Sequence, residues 1–207
     1  MISLYFGLPG CGKTTLMTKF ALRFTKGKKY KNVYGNVHLS VPGYTYIDNE
    51  CIGKFELVDG ALLIDEGVLF ACNRNYKNFG MELTQFFMEH RHDCLDVYIF
   101  SQSCDLLDKQ IRTITDRVYY IYKPFLFGAF ISKYYRIPYD IVIPKKDDSS
   151  QKLGEIIQGY CQPSKLQRLF GTQRLFRPFY YKYFDSWIRK PRPKLPPKYS
   201  PYKPCSK

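Results

Sequence analysis

The sequence predicts an α/β fold, a parallel sheet with helices on both faces, from three observations. Strand-like and helical runs alternate over the first 123 residues. The glycine-rich turn GLPGCGKTTL at residues 7–16 directly follows a short apolar run, and a second apolar run, ALLIDEG at 61–67, ends in two carboxylates. Alternation of this kind places successive strands side by side with crossover helices between them.

Taken in order, Ile2 to Phe6 reads as a buried strand, and Lys13 to Phe24 as a helix because Leu16, Phe20 and Phe24 recur at helical spacing. Further strands are expected at Asn32 to Leu39, Ala61 to Asp65, Val97 to Ser101 and Arg117 to Tyr122, with helices around Met81 to His90 and at Asp108 to Thr115. From Pro124 onward the pattern gives way to aromatic and basic pieces. A hairpin is expected around Phe130 to Ile143 and an amphipathic piece near Ser149 to Gln158. The end, PRPKLPPKYSPYKPCSK from Pro191, is proline-rich and basic, which predicts an extended tail. The expected division is one domain over 1–187, with a core at 1–125 and an aromatic, basic extension at 126–187, followed by a tail at 188–207. No internal repeat is present.

Composition narrows the partners. The chain has 207 residues, 32 Lys plus Arg against 18 Asp plus Glu, and a net charge of +14. That balance favours anions such as nucleotides, nucleic acids or acidic phospholipids. Its 19 Tyr and 16 Phe are many for this length, and tyrosine suits partly wet surfaces and interfaces better than a dry core. Seven cysteines, odd in number and without a C-x-x-C pair, read as reduced thiols of a cytoplasmic protein. The amino terminus runs straight into the glycine turn, so no signal peptide is expected. The longest apolar stretch, PFLFGAFI from Pro124, falls well short of the ~20 residues of a membrane span.

Gly7, four residues, then Gly12, Lys13 and Thr14 form a complete G-x-x-x-x-G-K-T, the pattern of a phosphate-binding loop. Glycines let successive backbone N–H groups turn inward on phosphate oxygens, a lysine adds a point charge, and a threonine hydroxyl can ligate Mg²⁺. The strand before and helix after are the context this motif requires. Gly7, Pro9, Gly10, Cys11, Gly12, Lys13, Thr14 and Thr15 are therefore the expected nucleotide-binding residues.

The second half of the site is LLIDEG. An acidic residue at the carboxyl end of a buried strand can hold Mg²⁺, which assigns Asp65 to the metal beside Thr14. The adjacent Glu66 can orient and deprotonate a water, so the pair points to hydrolysis rather than transfer. DVYIFSQS at 96–103 is another buried strand whose polar end, Gln102, falls at the same edge of a parallel sheet and reads as a sensor of the terminal phosphate. No N-K-x-D occurs, which favours ATP over GTP. His90 and His92 do not share a helical face, which argues against a zinc site. Arg91, Arg74 and Arg112 are the candidates for an arginine that completes a neighbouring subunit's site.

These phrases together, GLPGCGKT, YGNVHL, LLIDEG, Arg74, EHRHDCLDVYIFSQS and DKQIRTITD, resemble the ATPase domain of the zonular occludens toxin family, which includes the gene I assembly proteins of filamentous phages. The similarity covers roughly residues 1–125, and FYYKYFDSW at 179–187 is similar to the phrase that closes the family's nucleotide domain. The resemblance implies a RecA-like P-loop ATPase of the additional-strand, catalytic-glutamate class, related to hexameric DNA-pumping motors, that drives virion assembly and extrusion at the host inner membrane. It implies ATP and Mg²⁺ as ligands, with Lys13 and Thr14 on phosphate and metal, Asp65 on the metal, Glu66 on water and Gln102 as sensor. It further implies a homo-oligomer on the pattern of a hexameric ring, with phage DNA or coat and assembly proteins as partners. Filamentous phage members continue into a transmembrane helix, where this chain carries its basic tail. The expectation is a protein on the cytoplasmic side of the membrane, with the tail on an anionic surface, lipid being preferred and DNA the alternative. The alternatives are a viral DNA-packaging or DNA-translocating ATPase, and a nucleotide-dependent scaffold with little hydrolysis.

Overall fold

In the computed structural model, residues 1–27, 29–66, 81–103, 107, 109–124, 129–137 and 173–185 are described. They form an eight-stranded sheet, ordered β3-β2-β4-β5-β1-β6-β7-β8. The strands are β1 (Ile2–Phe6), β2 (Asn32–Gly35), β3 (Tyr44–Tyr46), β4 (Gly60–Ile64), β5 (Asp96–Ser101), β6 (Arg117–Tyr122), β7 (Ile131–Ile137) and β8 (Gln173–Phe176). The helices are α1 (Lys13–Lys26), α2 (Met81–Glu89) and α3 (Lys109–Ile114). Strands β1 to β6 pair in parallel, and β7 and β8 close one side antiparallel. This is the α/β architecture that the sequence predicts, a mostly parallel sheet with helices on both faces.

Side-chain alternation along β1 explains why both faces are covered. Ile2, Leu4 and Phe6 join one core with Phe86 and Phe87 of α2 and Ile111 of α3. Tyr5 points the other way, into a core with Leu16, Met17 and Phe20 of α1. Continuous burial of β1 and β4 is what a parallel sheet sandwiched by helices demands.

Most described tyrosines keep a partly exposed side chain, as expected, but four do not. Tyr5, Tyr98, Tyr134 and Tyr135 are all buried. Tyr5 stacks on Tyr119 at 4.6 Å and on Phe100 at 5.2 Å, and meets Phe20 edge-on at 5.3 Å. Hydroxyls at the rim find partners: Tyr98 shares a hydrogen bond with Tyr30 at 2.8 Å, and Tyr134 donates to Gln173. Rings that carry a polar tip can thus fill a core whose edge is polar.

Two elements differ from the sequence reading. β2 stops at Gly35 rather than Leu39; the Asn36 N–H still donates to Leu63 O at 3.3 Å, and its side chain bonds Asp65 beyond the end of β4. β7 pairs with β6 on one side and with the distant β8 on the other, where a local hairpin over 130–143 was expected. The aromatic extension therefore supplies two strands to the main sheet. The amphipathic piece at 149–158, Arg74 and the tail at 188–207 lie outside the described residues. Among the described residues, no helix is long and apolar enough to cross a membrane.

Candidate active site

The sheet order places the glycine turn at the carboxyl end of β1, between β5 and β6, where open parallel sheets bind ligands. β5 is inserted between β1 and β4, so the strand that ends in Gln102 separates the glycine turn from the Asp65–Glu66 pair. A cleft of about 280 Å³ opens there, lined by Pro9, Gly10, Gly12, Lys13, Thr14, Thr15, Asp65, Glu66 and Gln102. Three strand ends have thus brought together residues far apart in sequence.

Glycines at two positions of the turn are dictated by space and backbone. Gly12 has φ 98° and heads α1, and a Cβ there would stand 2.7 Å from Ser132 Oγ. A Cβ on Gly7 would meet Ile121 O at 2.3 Å. Gly7 and Cys11 form the inner side of the loop instead of its lining. Cys11 is buried, its N–H donates to Leu8 O at 3.1 Å, and its carbonyl accepts from Ser132 Oγ at 2.5 Å. Burial pushes the Cys11 thiol up, against the pull of the nearby cations Lys13, Arg177 and Lys123.

Lys13 Nζ donates to Gly7 O at 2.8 Å and to Leu8 O at 3.2 Å, which holds the ammonium over its own loop. Thr14 Oγ1 donates to Asp65 Oδ2 at 2.7 Å, and the Glu66 N–H donates to Asp65 Oδ1 at 3.0 Å. Burial raises the Asp65 pKa above the usual carboxylate range, and these two hydrogen bonds oppose it. Asn36 fixes the Asp65 backbone from both sides, accepting its N–H at 2.7 Å and donating to its carbonyl at 2.8 Å. Glu66 is exposed and takes the left-handed backbone conformation, φ 51°. A non-glycine residue there carries local strain, a feature that concentrates at functional sites. Gln102 Nε2 donates to Glu66 Oε1 at 3.4 Å.

The structure does not bring Arg91 or Arg112 to this cleft. Arg91 pairs with Asp116 at 2.8 Å, and Asp116 in turn bonds Ile2 at the amino end of β1, the opposite end of the sheet from the glycine turn. Arg112 sits in the last turn of α3. Neither completes the site of its own chain. His90 is buried, its Nδ1–H donating to Phe87 O at 2.8 Å.

The arrangement fits a nucleotide and a magnesium ion. The loop leaves room only for backbone, and its cation and the head of α1 face one cleft. Among the described residues no group of three or more His, Cys, Asp or Glu gathers to cage a metal. A hard cation here would rest on Thr14, Asp65 and substrate oxygens.

The zonular occludens toxin family model matches residues 44–169, which includes β4 with its carboxylates and β5 with Gln102. This chain belongs to the zonular occludens toxin family. The N-terminal domain of zonular occludens toxin from Neisseria meningitidis is similar in structure, with a TM-score of 0.53 at 19% identity, over 89% of this chain and 98% of that one. The genome packaging NTPase of Sulfolobus turreted icosahedral virus 2, in complex with ATP-gammaS, gives 0.50 at 13% identity over 66% of this chain and 91% of that one. The same NTPase in complex with sulfate gives 0.50 at 12% identity over 66% and 90%. No curated protein sequence matches the chain.

Sequence reasoning assigned no site role to four contributors. Asn36 lay inside the YGNVHL phrase without a role, and Arg177, Tyr181 and Phe184 line the cleft from beyond β8. Asn36 carried a weak signal, since a polar residue ending a buried strand beside the metal strand needs a partner there. In the late segment, FYYKYFDSW at 179–187 carried a family resemblance but no placement, and Arg177 carried no signal, because pairing with β7 is what brings the segment to the loop.

Proposed function

We propose that this zonular occludens toxin family member is a magnesium-dependent ATPase of phage or prophage assembly. The observation that carries the reading is the convergence of Lys13, Thr14, Asp65, Glu66 and Gln102 on one cleft from three strand ends. Lys13 and the loop N–H groups bind the phosphate tail and offset its charge. Thr14 and Asp65 hold the metal, which when bound neutralises charge developing on the phosphate oxygens. Glu66 accepts the proton of the attacking water, and Gln102, hydrogen-bonded to Glu66, orients that water against the terminal phosphate. Glu66 lines the cleft while remaining exposed, on a left-handed backbone.

Within this reading the protein acts as a homo-oligomer on phage DNA or assembly proteins, and its basic tail provides an anionic-membrane contact. Arg91 and Arg112 serve a neighbouring copy's cleft.

The test is a pair of substitutions. Lys13→Ala should abolish ATP binding, whereas Glu66→Gln should bind ATP normally and lose turnover by about 10²- to 10⁴-fold. Phosphate release and equilibrium binding measured on both variants decide it. Equal loss of affinity in the two would remove Glu66 from its role, and a wild-type chain without phosphate release would leave a nucleotide-dependent scaffold.

A further inference from the structure

Lys13 is not the only cation beside the loop. Arg177 opens the 3₁₀ turn Arg177–Tyr183 that follows β8. Its Nε lies 3.3 Å, and its Cδ 3.5 Å, from the point where a Cβ on Gly12 would stand. The chain is anchored at Arg177 itself and just before it. The Arg177 N–H donates to Phe130 O at 2.7 Å, and Leu175, two residues earlier, is 1% exposed in the core under α1.

The same segment brings aromatic surface into a polar cleft. Tyr181 and Phe184 line it, their rings meeting edge to face at 6.2 Å and 81°. The Arg177 guanidinium lies 5.9 Å from the Tyr181 ring centroid, and Tyr181 remains 44% exposed. An exposed ring next to a phosphate loop offers a face to a planar group.

Charge gives the cleft a direction. Asp65, Glu66 and Gln102 gather beside Thr14, the end for a terminal phosphate and its water. Arg177 stands beside Gly12 at the head of α1, and the two rings lie on its own segment. A nucleotide with its terminal phosphate at the carboxylates would meet Arg177, beside Gly12, and the two rings as the rest of the same cleft wall.

Resting on the ATPase reading of the cleft, we propose that Arg177 binds the inner phosphates of the nucleotide within its own subunit, and that Tyr181 and Phe184 form the wall that receives the base. Arg177 differs in this from an arginine that acts in trans on the terminal phosphate. It holds ATP and ADP alike, because both retain the inner phosphates. The rings add affinity only for ligands that carry a base.

Calorimetric titration of the full chain with ATP, ADP and inorganic tripolyphosphate tests both parts. Arg177→Gln should weaken all three by about ten-fold or more, with Arg177→Lys recovering part of the loss. Tyr181→Leu should weaken ATP and ADP by about five-fold and leave tripolyphosphate unchanged. Wild-type affinity of Arg177→Gln for all three ligands overturns the phosphate assignment, as does a loss confined to ATP. Equal weakening of ATP and tripolyphosphate by Tyr181→Leu overturns the base wall. Should Arg177→Gln fail to fold, Arg177→Lys and Tyr181→Leu both at wild-type affinity overturn the proposal. A wild-type chain that binds none of the three ligands overturns the nucleotide reading itself, and this inference with it.

Discussion

The Thr14 hydroxyl donates to the Asp65 carboxylate at 2.7 Å, joining the head of α1 to the end of β4 across 51 positions of sequence. Both side chains belong to the metal site proposed above. Their contact holds that site in shape, yet it leaves a buried carboxylate that the fold disfavours as an anion.

Asp65 therefore trades stability for function. In the unfolded chain it ionises near pH ~4, whereas burial raises its value in the fold. Above pH ~4 the unfolded state has released a proton that the folded state still retains, so this group lowers stability as pH rises toward its folded value. Asp65→Asn should remove that loss and melt higher than wild type at pH 7 without added nucleotide, by about 2–4 °C per kcal/mol recovered. Under the proposed function Mg²⁺ and ATP should stabilise wild type, and the same variant should lose that gain. Melting curves at pH 4 and pH 7 check the sign, and an identical pH response in the two proteins would contradict it.

Gln102 reaches Glu66 across 3.4 Å, a long hydrogen bond with room to shift. Gln102→Ala should lower kcat by about 10²-fold and leave ATP affinity within a factor of a few, since the contribution belongs to the attacking water rather than to bound substrate. Turnover and binding measured side by side decide this. A matching loss of affinity would make Gln102 a ground-state ligand.

Asn36 holds both the N–H and the carbonyl of Asp65, and also donates to Asn49 at 2.7 Å. Asn36→Ala strips those backbone groups of their partner, at a cost of about 1–3 kcal/mol. The Asp65 side chain then loses its fixed aim. Chemical denaturation should show the lower stability, and titration with Mg²⁺ and ADP should show an affinity decrease of about ten-fold. Unchanged metal-nucleotide affinity would mean that Asn36 serves the fold alone.

At the other end of the sheet, burial pushes the Asp96 carboxyl up, but hydrogen bonds from the Met1 ammonium, Tyr30 and Lys29 outweigh it and hold the group at about 2. Because the folded value is depressed, this carboxylate contributes stability above its unfolded value near ~4, and the contribution is lost as pH falls toward 2. Asp96→Asn should thus be less stable than wild type at pH 6 and converge on it near pH 2. Denaturant midpoints across that range provide the comparison, and a gap that persists at pH 2 would point to lost packing instead of charge.

Much of the site was legible because its demands are local. A phosphate turn needs backbone without side chains at Gly7 and Gly12, and the sequence writes that need as a fixed spacing. Asp65 and Glu66 announce themselves as carboxylates closing an apolar strand, and the alternation of strands and helices settled the fold class. Helix α1 and strand β6 fall where the periodicity and β-branched, aromatic content put them.

Tertiary structure decided what no spacing encodes: which strand lies beside which, and what distant chain returns to the loop. Placing β5 between β1 and β4 puts Gln102 against Glu66. Pairing β8 with β7 carries Arg177 to Gly12, while Arg91 lies at the far end of the sheet in an ion pair with Asp116. The physical reason is that a motif records the steric and charge needs of a few neighbouring residues. Strand order and the return of the late segment are fixed instead by long-range burial, here the two apolar faces that β1 presents in alternation to α1 and to α2 and α3.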